Sequence, residues 1–106
     1  MTETQFADLV DAFEGRPGVA PPEAHRRGFG SHALKIDGRI FAMHVRGHLV
    51  VKLPKERVAA LIDDGTGGPF DANKGTPMKE WLTVLDGSAD VWRDLAEEAA
   101  AFVRKR

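Results

Sequence analysis

Asp37-Gly38 restricts how this chain can fold more than any other feature of its sequence. A two-residue hairpin turn of type I′ needs positive φ at both central positions, and Asp-Gly is among the few pairs that adopt it readily. The dipeptide lies between Ala33-Leu34-Lys35-Ile36 and Arg39-Ile40-Phe41-Ala42-Met43, two runs rich in strand-forming side chains. Arg46-Gly47 is a second, weaker turn signal, and His48-Leu49-Val50-Val51 follows it. Three strands are therefore expected, over roughly residues 30–36, 39–45 and 48–53, arranged as an antiparallel meander.

Two-residue turns also set the register. His32 is expected opposite Met43, Met43 opposite Val50, and His44 opposite Ser31 and Leu49. Leu34, Ile36, Phe41, Met43 and Val50 then share one face, and Ile40, Ala42, Leu49, Val51 and Leu53 the other. His44 falls on the face away from His32 and His48. Those two lie about 11–12 Å apart by sheet spacings, while ligand nitrogens must come within about 2 Å of a shared metal. The histidines are read as half-buried or rim residues that bond locally. A catalytic role for any one of them needs a nearby carboxylate to orient its ring.

On either side of the meander the pattern turns helical. Phe6, Leu9, Val10 and Phe13 form one stripe, with Thr2 and Gln5 as a capping box and Gly15 and Pro17 as the stop. Residues 15–28, rich in glycine and proline, read as an internal connector. Pro54 opens a helix that Gly65 ends, with Val58, Leu61 and Ile62 along its buried edge. Residues 66–77 suggest a short strand or irregular edge. Residues 79–85 suggest a strand with Leu82 and Val84 on one face and Trp81, Thr83 and Leu85 on the other. Asp86 or Ser88 caps a last helix whose stripe is Val91, Trp92, Leu95, Ala99, Phe102 and Val103.

No motif compels a reaction. Gly28-Phe29-Gly30-Ser31-His32 lacks the spacing and the following helix of a nucleophile elbow. Gly65-Thr66-Gly67-Gly68-Pro69 follows a helix, whereas a phosphate loop follows a strand, so it reads as a helix stop. Asp71 to Pro77 lacks the oxygen alternation of a calcium loop and reads as a solvated loop, the alternative being anion binding by Lys74 and Lys79. Asp63-Asp64 reads as surface, and Trp81 and Trp92 as core. No cofactor, metal site or catalytic residue is assigned.

Charge is uneven along the chain. Residues 1–24 carry a net −4, residues 25–57 +6, residues 58–100 −6 and the tail +3, for −1 in all. The expected outcome is that opposite charges meet across the fold, since a dedicated nucleic-acid domain is usually basic overall. The 106 residues suit one domain, and 42% apolar residues supply a modest core. There is no cysteine, which excludes disulfides and thiolate chemistry and fits a reducing compartment. The acidic start is unlike a signal peptide, and no apolar run approaches the roughly 20 residues that span a bilayer. A soluble, cytoplasmic protein is expected.

Several stretches resemble the N-terminal domain of TfoX/Sxy-type proteins. They are FGSHALKIDGRIFAM, LVVKLPKERVAALI and GGPFDANKGTPMKEWLTV. KEWLTVLDGSADVWRDLAEEAAAFV is also similar to MmcQ/YjbR proteins, where a tryptophan strand runs through Leu-Asp-Gly into a C-terminal helix. The resemblance covers roughly residues 1–104, so residues 1–106 are taken as one TfoX N-terminal-like domain. It implies a regulatory role, with DNA binding suggested for YjbR-like members, and it carries over no catalytic residue.

The expected fold is α+β: an antiparallel sheet of four or five strands around the meander, packed with three helices mainly on one side. Both sheet faces are apolar. A face left without helices would serve a protein partner or self-association. The first functional expectation is a small non-enzymatic regulatory or interaction domain. The alternative is weak nucleic-acid binding through Arg26, Arg27, Arg39, Arg46, Lys52, Lys55 and Arg57. A second alternative is a small-molecule binder or enzyme, which needs a pocket with convergent polar groups.

Overall fold

The computed structural model describes residues 2–20, 33–70 and 78–104. In chain order they form α1 (Thr2–Phe13), β1 (Val19–Ala20), β2 (Ala33–Ile36), β3 (Arg39–Val45), β4 (His48–Lys52), α2 (Lys55–Asp63), β5 (Gly67–Pro69), β6 (Trp81–Val84) and α3 (Ala89–Arg104). The strands make one antiparallel sheet in the order β1-β2-β3-β4-β6-β5. This is the expected α+β fold, with a central meander and three helices. At one edge the two-residue β1 joins it from within the stretch read as a connector.

Both meander turns adopt the geometry that the sequence demands. Asp37 and Gly38 have φ of 52° and 81°, and Arg46 and Gly47 have 51° and 82°. Across the second turn the pairs are those expected: Val45–His48, His44–Leu49, Met43–Val50 and Ala42–Val51. Across the first, Ile36–Arg39 and Lys35–Ile40 follow the turn, but Leu34 then pairs with Ala42 and Ala33 with Met43. Phe41 is the extra residue of a β-bulge, which reverses the facing of every position beyond it.

Two expectations are corrected by that bulge. Met43 stands opposite Ala33, not His32. Leu34 and Ile36 share a face with Ala42, Leu49 and Val51, while Met43 and Val50 stand on the other. Phe41 and Ala42 point to the same side. Phe41 becomes fully buried there, its ring 5.3 Å from that of Phe13.

All three helices pack on that side. Phe6, Leu9 and Phe13 come from α1, Val58 and Leu61 from α2, and Trp92, Leu95, Ala96, Ala99 and Val103 from α3. Side chains at these helical spacings bury one stripe each, and the six described strands supply the floor. The opposite face, here called the outer face, carries no helix among the described residues, yet its centre is not open. Ala33, Met43 and Val50 are buried there together with Phe70.

Helix ends differ in part from expectation. Pro54 is the N-cap of α2 (φ −56°, ψ 146°), and Gly65 with φ 87° follows its C-cap Asp64. Ile62 is 37% exposed and does not join Val58 and Leu61 in the core. Ser88 caps α3, its Oγ accepting from the Val91 N–H at 3.2 Å, while Asp86 accepts from the Ser88 N–H at 2.9 Å. The Gln5 amide donates to the Gly87 carbonyl at 2.9 Å. That side chain therefore ties α1 to the start of α3.

Candidate interaction surface

Of the five basic residues singled out in the sequence that are described, Arg39 and Lys52 line one depression and Arg46, Lys55 and Arg57 lie elsewhere. Arg26 and Arg27 lie outside the described residues. Arg57 is held by Glu98 through two hydrogen bonds of 2.8 and 3.2 Å, which fasten α2 to α3. The bond to Glu98 also raises its proton affinity above the ordinary arginine value. Arg46 occupies the β3–β4 turn, seven residues along the chain from Arg39 and about 20 Å away at strand rise. Lys55 sits in the first turn of α2.

Arg39 and Lys52 do converge. They line an open depression of about 740 Å³ at one end of the outer face, with Lys35, Gly38, Ile40, Glu80 and Trp81. Strand pairing assembles it. Lys35 stands opposite Ile40, and Lys52 opposite Trp81. Alternation directs these four side chains away from the helices, since Leu34, Ile36, Val51 and Leu82 on either side of them are in the helix-side core. The Lys52 ammonium lies 5.2 Å from the Trp81 ring centroid and 3.7 Å from the Glu80 carboxylate. A cation over an indole at a partly exposed site contributes about 0.5–1 kcal/mol, enough to bias the Lys52 side chain toward the ring.

Sequence reasoning missed Lys35. Its signal was its place between Leu34 and Ile36, which fixes it on the face opposite theirs, but only the bulge tells which face the helices cover. The sequence pattern puts Trp81 in the core. It is half-buried, its ring 6.4 Å from that of Phe70, and its free flank lines the depression. Trp92 is core as expected, at 2% exposure, and its Nε1–H donates to the Asp86 carbonyl at 3.0 Å.

A second concavity of about 400 Å³ adjoins the first. It runs between α2 and the β5–β6 edge and is lined by Lys55, Glu56, Val58, Ala59, Ile62, Pro69, Met78, Lys79 and Trp81. Trp81 is common to both. The two linings together hold Lys35, Arg39, Lys52, Lys55 and Lys79 against Glu56 and Glu80, a net of +3 in a chain whose net is −1.

His44 and His48 lie on opposite faces, as expected. His44 points to the helix side, half-buried, with Phe6 stacked 5.4 Å away and Trp92 at 6.3 Å. His48 pairs with Val45 at the other end of the outer face from Lys52. His32, Ser31 and Lys74 lie outside the described residues. Among the described residues no group of three or more histidines and carboxylates could hold a metal ion. Asp64 accepts from the Thr66 N–H at 2.9 Å, and its bonds to Thr66 lower its pKa. It serves the turn after α2.

No protein-family model, no curated protein and no solved structure matches the chain. Among the described residues no helix is long and apolar enough to cross a membrane.

Proposed function

We propose that this chain is a small non-enzymatic regulatory or interaction domain, acting in the cytoplasm, that recognises an anionic partner through the surface centred on Trp81. The observation that carries this reading is one open depression lined by Lys35, Arg39, Lys52 and the half-buried Trp81, with the Lys52 ammonium 5.2 Å from the Trp81 ring centroid. Aromatic and arginine side chains dominate binding energy at protein interfaces, and a local excess of one charge steers an oppositely charged partner. The resemblance to TfoX/Sxy N-terminal domains points the same way, toward regulation, and the absence of cysteine suits a reducing cytoplasm. Because Ala33, Met43 and Val50 are buried, this reading puts the partner surface at this end of the outer face and not at its middle. The proton affinities that the fold displaces, those of Arg16, Arg57, Asp64 and Glu97, trace to ion pairs and one turn.

Nucleic acid is the second reading, favoured by Arg39 and Lys52 lining one depression beside an aromatic ring. Against it, Arg57 is engaged by Glu98 and Arg46 stands at the far end of β3. The test is a titration of the protein with poly-L-glutamate, duplex DNA and single-stranded DNA at low and physiological salt. Lys35→Glu/Arg39→Glu serves as the control. Binding of poly-L-glutamate that the charge reversals abolish supports an anionic protein partner. DNA binding that survives to physiological salt, falls steeply above it and needs the same residues transfers the surface to nucleic acid. No binding of any probe removes the proposal.

A further inference from the structure

We infer that the partner is a short amphipathic protein segment whose apolar side chains enter the groove between α2 and the β5–β6 edge while its carboxylates reach the basic side chains across Trp81. This rests on the reading above and names the chemistry of the partner.

The groove is built unlike the depression beside it. Its wall is Val58, Ala59, Ile62, Pro69, Met78 and Trp81, with charged groups from Lys55, Glu56 and Lys79. Among the described residues the exposed large apolar side chains are Ile62 and Leu85, and Ile62 lies in this groove. An isolated exposed isoleucine is ordinary. One that lines a concave apolar surface of about 400 Å³, adjoining a basic depression through a shared tryptophan, is half of a bipartite site. The volume falls within the roughly 300–1,000 Å³ of ligand clefts.

Charge selects the occupant. A phosphodiester backbone has nothing to place against Val58, Ala59, Ile62 and Met78. A uniformly anionic lipid surface would meet Glu56 and Glu80 interspersed among the five basic groups. A peptide varies its side chains residue by residue. It can set carboxylates toward Lys35, Arg39 and Lys52, and apolar side chains toward Ile62, leaving neutral residues near Glu56.

The experiment is selection from a displayed library of random peptides against the folded protein, with the recovered peptides synthesised and their affinities measured. Ile62→Glu and Ala59→Arg alter the groove at exposed positions, and Lys35→Glu/Arg39→Glu alters the basic end. Unfolding temperature confirms that each variant is folded. The expected result is enrichment of segments pairing leucine, isoleucine or aromatic residues with aspartate or glutamate. Their affinity should fall tenfold or more in each class of variant.

Acid-only peptides insensitive to both groove variants would overturn this inference and leave the anionic reading standing. Apolar peptides insensitive to the charge reversals would overturn both. No enrichment would also overturn both. Binding to phosphatidylserine–phosphatidylcholine vesicles that Ile62→Glu abolishes would assign the groove to lipid and overturn the inference.

Discussion

Arg46 holds φ at 51°, the first of two left-handed positions in the β3–β4 turn. Side chains other than glycine, asparagine and aspartate pay roughly 1 kcal/mol to stay there. Asp37 fills the equivalent place in the first turn, at φ 52°, and also meets Arg104 at 3.6 Å. Replacing Arg46 with asparagine is therefore expected to stabilise the protein by about 0.5–1 kcal/mol in denaturant unfolding. Gly67 is constrained for another reason. A Cβ there would stand 2.5 Å from Leu82 Cδ1 and 2.8 Å from the Thr83 carbonyl oxygen. The Gly67→Ala variant should lose about 1–3 kcal/mol, since overpacking forces the buried Leu82 or the β6 backbone to move. The turn residues were legible in the sequence because positive φ admits so few residue types. The need for glycine at 67 was not, because it arises from a neighbour fifteen residues away.

At the scale of elements, the bulge in β3 shows where periodicity stops being informative. Ile40-Phe41-Ala42-Met43 is apolar at every position, so a slip of one residue leaves no mark in the alternation. The structure resolves the ambiguity by placing both Phe41 and Ala42 against α1 and α3. Ile62 was misplaced for a related reason: the spacing from Val58 suits the core, but α2 sits at the β5–β6 edge and its flank overhangs a groove. The last helix was the most legible element, its stripe and its Ser88 cap both realised. Ser88→Ala should cost about 1 kcal/mol, read as a lower unfolding midpoint with unchanged slope.

Helix α3 also carries a pH-dependent tie. Arg16 and Glu97 bond at 2.6 and 2.7 Å, and the hydrogen bond from Arg16 is the main cause that lowers the Glu97 pKa. A carboxylate whose pKa is depressed by folding stabilises the folded state above its unfolded value, about 4.3. That contribution disappears as pH falls through the depressed folded value. Stability should decline as pH falls from about 5 through the depressed folded value, and Glu97→Gln should flatten that decline. Both side chains are more than 40% exposed, so the effect is small and shrinks with salt.

For the whole molecule, the uneven charge of the sequence becomes a set of ties between distant segments. Arg16–Glu97, Arg57–Glu98 and Arg104–Asp37 each tie parts of the chain far apart in sequence, and of the three only Arg57–Glu98 joins a segment of net positive charge to one of net negative charge. What remains around Trp81 is a local excess of positive charge beside an apolar groove. Arg39 and Lys52 were visible in the sequence as members of a basic stretch. Their meeting with Lys35 and Trp81 was not, because it depends on strand order and on β6 pairing with β4 across an intervening helix and strand.

The two tryptophans make that surface directly observable. Trp92 is buried with its indole N–H on the Asp86 carbonyl, while Trp81 lies half-exposed between the two concavities. Following both indole N–H resonances by NMR while adding poly-L-glutamate should shift Trp81 progressively and leave Trp92 in place. A shift of neither resonance, with the largest backbone changes at Arg46 and Gly47, would contradict recognition at the Trp81 surface.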